Sequence, residues 1–116
     1  KECTVHANYK EKVKKAKDID TVITGGSLGH PVRLIKNKLS REYIKLEKEA
    51  HDIEELEKMG QGALRKAVVE GDTEYGNVMA GQICGMLKEE ESAQEIINSL
   101  IREFVEIIKK SGEIIG

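Results

Sequence analysis

The chain has 116 residues, 39% hydrophobic and 34% charged, which is length for one domain and enough apolar surface to exclude a wholly disordered chain. Aromatic residues make up only 3%, which argues against nucleic-acid modules that stack bases on exposed rings, and no uncharged run nears the roughly 18 residues of a membrane span. The net charge of −2 hides a polarity: residues 1–48 hold 12 Lys/Arg against 6 Asp/Glu, and residues 49–116 hold 7 against 15.

The first residues carry no initiator Met and run at once into a helical pattern, with Val5, Tyr9, Val13 and Ala16 on one face and lysines between them. Residues 18–24 are rich in β-branched side chains and stop at Gly25 and Gly26, which predicts a short strand. A glycine loop follows over residues 25–31, then a second short strand or an extended lead-in over residues 32–36. Two such strands are not stable alone and must pack on helices or on further chain. Leu39, Tyr43, Leu46 and Ala50 share one face of the next helix. Asp52 and Glu55 form a capping-box pattern for a helix through Met59, and residues 63–70 form another, with Gly71 placed to end it. Residues 76–87 are apolar on nearly all sides, which predicts a buried helix whose Gly81 and Gly85 admit a neighbouring backbone or a flat ligand. Ser92 and Glu95 open a last helix with Ala93, Ile96, Ile97, Leu100, Ile101, Phe104, Val105 and Ile108 on one face, ending at Ser111 and Gly112.

No metal or nucleotide motif is complete. Cys3 and Cys84 match no zinc spacing and are too few for a disulfide framework, so a reduced, cytoplasmic setting is expected, and no secretory leader is visible. His51 lies among acidic residues and reads as exposed; His6 and His30 are either turn residues or groups facing a ligand. Gln82, inside the predicted apolar helix, needs partners for its amide: either a loop backbone or a bound cofactor.

Several stretches together resemble one family. They are Glu2 to His6 with Asn8, Tyr9 and Lys10; Ala16 to Thr21; Gly29 to Arg33 with Lys36 to Leu39; Gly62 to Asp72; and Val78 to Gln82. In order and spacing they resemble the FMN-dependent enoyl-acyl-carrier-protein reductases and their relatives, the nitronate monooxygenases, over essentially the whole chain. The resemblance implies a mainly α segment with two short β-strands, from the C-terminal part of a (β/α)₈ (TIM) barrel flavoprotein with its added helical region. Residues 1–116 would then be a single incomplete unit, with the barrel upstream. The family's catalytic histidine and phosphate-binding glycine segment would also lie upstream, so no catalytic residue is assigned here.

Met79, Ala80, Gly81 and Gln82 become candidates for the flavin or substrate cavity, and His30 a candidate substrate contact. Gly26, where relatives often carry arginine, and Asn77, where serine is usual, depart from the pattern. The implied chemistry is reduction of an enoyl thioester on acyl carrier protein, with FMN and NADPH or NADH, in a homodimer without nucleic-acid or membrane partners. Nitronate oxidation on the same fold and a non-catalytic helical interaction module are the alternatives.

Overall fold

Residues 1–49 and 52–115 are described in a computed structural model of the chain, so Ala50 and His51 lie outside the described residues. Two units form: Val5–Lys88, and Lys1–Thr4 with Glu89–Gly116.

Within Val5–Lys88, helix α1 (Ala7–Lys15) starts where His6 Nδ1 accepts the Asn8 N–H at 3.1 Å. It ends in Lys12, Lys14 and Lys15, cations placed at the negative end of the helix dipole. Lys88 Nζ donates to Ala16 O at 2.7 Å, satisfying a carbonyl the helix end would otherwise leave open. Strands β1 (Thr21–Thr24) and β2 (Val32–Ile35) pair antiparallel, Thr21 opposite Ile35 and Thr24 opposite Val32. Both strands fall within the expected stretches, and they pair as a hairpin.

Helix α2 (Lys38–Lys48) buries Leu39, Ser40 and Tyr43. Helix α3 (Ile53–Gly60) buries Leu56; Asp52 caps it through the Glu54 N–H at 3.1 Å. Helix α4 (Ala63–Arg65) runs into a wider π turn over Lys66–Glu70. Gly71 closes that turn at φ +74°, the left-handed conformation that favours glycine. The core gathers Ala16, Ile35, Ala67, Val78 and Cys84, with Tyr9, Val13 and Ala80 packed against it. The strands do pack on helices, as their shortness requires.

Two expectations fail. Residues 76–87 are not a buried helix: only a short 3₁₀ segment, Gln82–Met86, forms there, and Ile83, Met86 and Leu87 are exposed. Glycines at 76, 81 and 85 weaken any helix, and β2 offers the backbone a competing partner. The final helix does not end at Ser111 and Gly112 but continues through them.

In the other unit, α5 (Ala93–Ile115) begins with the expected capping box. Glu95 Oε2 accepts from Ser92 N at 2.7 Å, and Ser92 Oγ accepts from Glu95 N at 3.2 Å. Glu2 Oε2 accepts from Ala93 N at 3.0 Å, and Lys1 Nζ reaches Glu95 at 3.1 Å. The Ser92 hydrogen bonds, then Lys1, hold the Glu95 carboxyl down to about 2, from 4.5. A depressed carboxylate stabilises above its ordinary value and ceases to do so as pH falls through the depressed one. The first turn of α5 is therefore expected to fray between pH 4.5 and about 2. Amide exchange at Ser92 and Glu95 checks this, and Glu95→Gln should remove most of the pH dependence.

Candidate functional site

Residues 77–82 are built by four neighbours rather than by their own helix. Asn77 N donates to Ala63 O at 2.8 Å. Ile35 N donates to Val78 O at 2.9 Å, and Ala80 N donates to Arg33 O at 3.3 Å. Met79 thereby bridges Leu34 in antiparallel register, a one-residue third strand beside β2. Tyr9 Oη donates to Met79 O at 2.7 Å. Strand alternation then sends Val78 inward, 0% exposed, and Met79 outward, 38% exposed.

Gly81 is extended and open: a Cβ there would meet nothing within 4 Å. Gln82 opens the 3₁₀ segment and is exposed, so the expectation of a buried amide inside an apolar helix is corrected. The apolar neighbours in sequence, Ile83 and Met86, also face out, at 63% and 72%. Gly85, by contrast, does admit a close backbone: a Cβ there would lie 2.8 Å from Asp18 N.

His30 lies elsewhere. It lines a cleft of about 650 Å³ between the hairpin, α2 and α3, over a floor including Val32, Leu34, Leu39, Tyr43 and Leu56. Asn77 reaches this cleft, but Met79, Ala80, Gly81 and Gln82 do not line it. Burial pushes the Tyr43 phenol up, and Glu47 and Glu57 add to the shift. His6 is a cap, its ring seated against Gly71. Among the described residues, no group of three or more His, Cys, Asp and Glu gathers as a metal site.

Asn37 and Tyr9 brace this region, whereas the sequence alone marks Tyr9 only as part of an apolar helix face and gives Asn37 no role. The signal for Asn37 was there: an Asn three residues before Ser40, at the head of an apolar-faced helix, is an N-cap pattern. The hydroxyl bond from Tyr9 leaves no sequence trace. Asp72 shapes the approach, accepting from Glu74 N at 3.0 Å and Tyr75 N at 2.9 Å. The bond from Tyr75 leads in holding its carboxyl below the ordinary value.

Comparison with known proteins decides the family. The nitronate monooxygenase family model matches residues 1–103. The chain belongs to the nitronate monooxygenase family. Its members are flavin-dependent oxidoreductases. Among solved structures, the chain is similar to FabK from Thermotoga maritima, with TM-score 0.85 and 42% identity over 91% of this chain and 33% of that one. It is similar also to a methionine-to-alanine mutant of FabK from that organism, with TM-score 0.74 and 38% identity over 91% and 31%. The chain thus spans about a third of the length of these relatives.

The residues present fit one wall of a flavin site. Residues 79–82 offer a braced backbone, an uncovered glycine and an exposed amide. Those features suit contact with a flat, polar-edged ring from one side. No helix among the described residues is long and apolar enough to cross a membrane.

Proposed function

We propose that this chain is the C-terminal part of an FMN-dependent enoyl-acyl-carrier-protein reductase, a homodimeric cytoplasmic enzyme of fatty-acid synthesis. The observation that carries the reading is the likeness to FabK, 42% identical at TM-score 0.85. Bound FMN would pass hydride from NADPH or NADH to the enoyl thioester, and the protein's part is binding and orientation.

In this reading Met79, Ala80, Gly81 and Gln82 form one wall of the flavin or substrate cavity. The Tyr9 hydroxyl and β2 hold that wall still, and the Gln82 amide offers a hydrogen bond outward. His30, on the hairpin loop, is proposed to meet substrate from the cleft beside α2. The α1 end of the molecule supplies Lys15 and Lys17, both exposed, for an acidic carrier protein. Unit Val5–Lys88 is then the added helical region, set in the chain between Thr4 and α5, and the apolar face of α5 packs on the upstream barrel.

The test uses the complete protein with bound FMN. A crotonyl-type thioester should be reduced, and alkyl nitronates should not be oxidised at comparable rate. The reverse result would favour the second reading, nitronate oxidation, which the description of the matching family supports. Within the same protein, Gln82→Leu is expected to weaken flavin retention or turnover. Because Gln82 is exposed, the melting of the flavin-free protein should stay within about 0.5 kcal/mol of the parent. A large loss of apo stability with normal flavin binding and rate would remove Gln82 from the site.

A further inference from the structure

Asn37 is 1% exposed, as is its partner Ser40. An asparagine amide has two N–H donors and an acceptor oxygen. Here all are used. Oδ1 accepts from Ser40 N at 2.9 Å, and Ser40 Oγ accepts in turn from Asn37 N at 2.9 Å, which completes the cap of α2. Nδ2 donates to Thr73 O at 2.9 Å and to Gly76 O at 2.8 Å. The cap needs only the acceptor, which serine or aspartate would supply equally well. The two donors serve a different element: the turn that delivers the chain to Asn77. Leu39 N adds a third bond to that turn, at Glu74 O, 3.0 Å.

We infer that Asn37 is a positioning residue that fixes the register in which residues 78–80 join β2, and with it the outward placement of Met79 and the point from which the chain runs on to Gln82. Immediately after Gly76 the chain must join β2 with Val78 inward and Met79 outward. A slip of one residue would exchange them, sending the wholly buried Val78 to the surface. Carbonyls anchored on both sides of the turn hold the entry point of that strand. The functional consequence rests on the reading of residues 79–82 as a cavity wall; the register consequence does not.

The test uses the complete flavoprotein with three variants. Asn37→Ser keeps an N-cap acceptor and removes the reach of both donors. Asn37→Asp keeps the shape but turns a carboxylate oxygen toward two carbonyls. Ser40→Ala breaks the reciprocal cap and leaves both amide donors in place. Amide exchange over residues 77–82 should rise about tenfold in Asn37→Ser, since local opening follows the loss of buried hydrogen bonds, and should change little in Ser40→Ala. Flavin should dissociate more readily, and KM should rise more than kcat falls.

If Asn37→Asp does not fold, Asn37→Ser alone carries the comparison. Unchanged exchange in Asn37→Ser, or an equal rise in Ser40→Ala, overturns the register role. Raised exchange with unaltered flavin binding and kinetics overturns the functional role and shows that residues 79–82 are not the cavity wall. The two failures are therefore distinct.

Discussion

Produced alone, the 116-residue chain is expected to self-associate and to take up a hydrophobic dye. The cause is α5. Ile96, Ile97, Leu100, Ile101, Phe104, Val105, Ile107, Ile108 and Ile114 are each 42–85% exposed. At about 100° per residue they all fall within one half of the helix circumference. Glu95, Arg102, Glu103, Glu106, Lys109, Lys110 and Glu113 fall on the other half. A continuous exposed stripe of nine apolar side chains is the kind of patch that marks a missing partner. Sedimentation should show concentration-dependent oligomers, and Leu100→Glu with Phe104→Glu should reverse both association and dye uptake. In the complete protein the same dye should find little to bind. A monodisperse 116-residue monomer without dye uptake would show that the stripe needs no cover.

Much of the fold is legible in the sequence because its signals are local. The repeat of Tyr9 and Val13, the cap pair Ser92 and Glu95, and Gly71 at a helix end all act within a turn or two of themselves. The hairpin is also local, since its strands are separated only by the glycine loop. In residues 76–87 apolar composition does not mean burial in a helix. What decides their course is distant in sequence: Ala63, Arg33, Ile35, Tyr9 and Asn37 supply the hydrogen bonds. The backbone joins β2, and burial alternates along it, with Val78 in and Met79 out. Gln82 then lands on the surface, where its amide needs no internal partner.

Ser111 and Gly112 failed as a stop for a related reason. A mid-helix glycine costs about 1 kcal/mol relative to alanine, which a long amphipathic helix tolerates. No left-handed residue stands there to end the helix. Of the candidate site, Gly81 and Gln82 stand out from the residues alone and Met79 and Ala80 only through the family resemblance, whereas the brace behind them is a tertiary feature.

That brace makes Gly76 and Gly81 respond to the same substitution in opposite ways. A Cβ at Gly76 would lie 2.5 Å from Ala67 N and 2.9 Å from Ala67 Cα, and closer still to Asp72 O. All three are backbone atoms, and Ala67 is 0% exposed inside the π turn, so no side chain can swing aside. Gly76→Ala must therefore push the 73–76 turn away from Asn37 or open the π turn. Overpacking of this kind costs about 3 kcal/mol. In the complete protein, about three times as long as this chain, that should appear as a fall in Tm of several degrees.

At Gly81 a Cβ would meet nothing within 4 Å, and the backbone, at φ −72° and ψ 171°, is one that alanine adopts freely. Gly81→Ala should therefore leave the flavin-free protein unchanged or raise its stability by about 0.4–1 kcal/mol, through the lower entropy of the unfolded chain. If the open side of Gly81 faces the flavin, the same methyl will loosen FMN in the complete enzyme while the apo melt holds. Thermal melts of both variants with and without FMN read the two effects separately. A Gly76→Ala protein that melts with the parent would show that the turn can yield, and a Gly81→Ala protein that keeps its flavin as tightly as the parent would move the ring away from that residue.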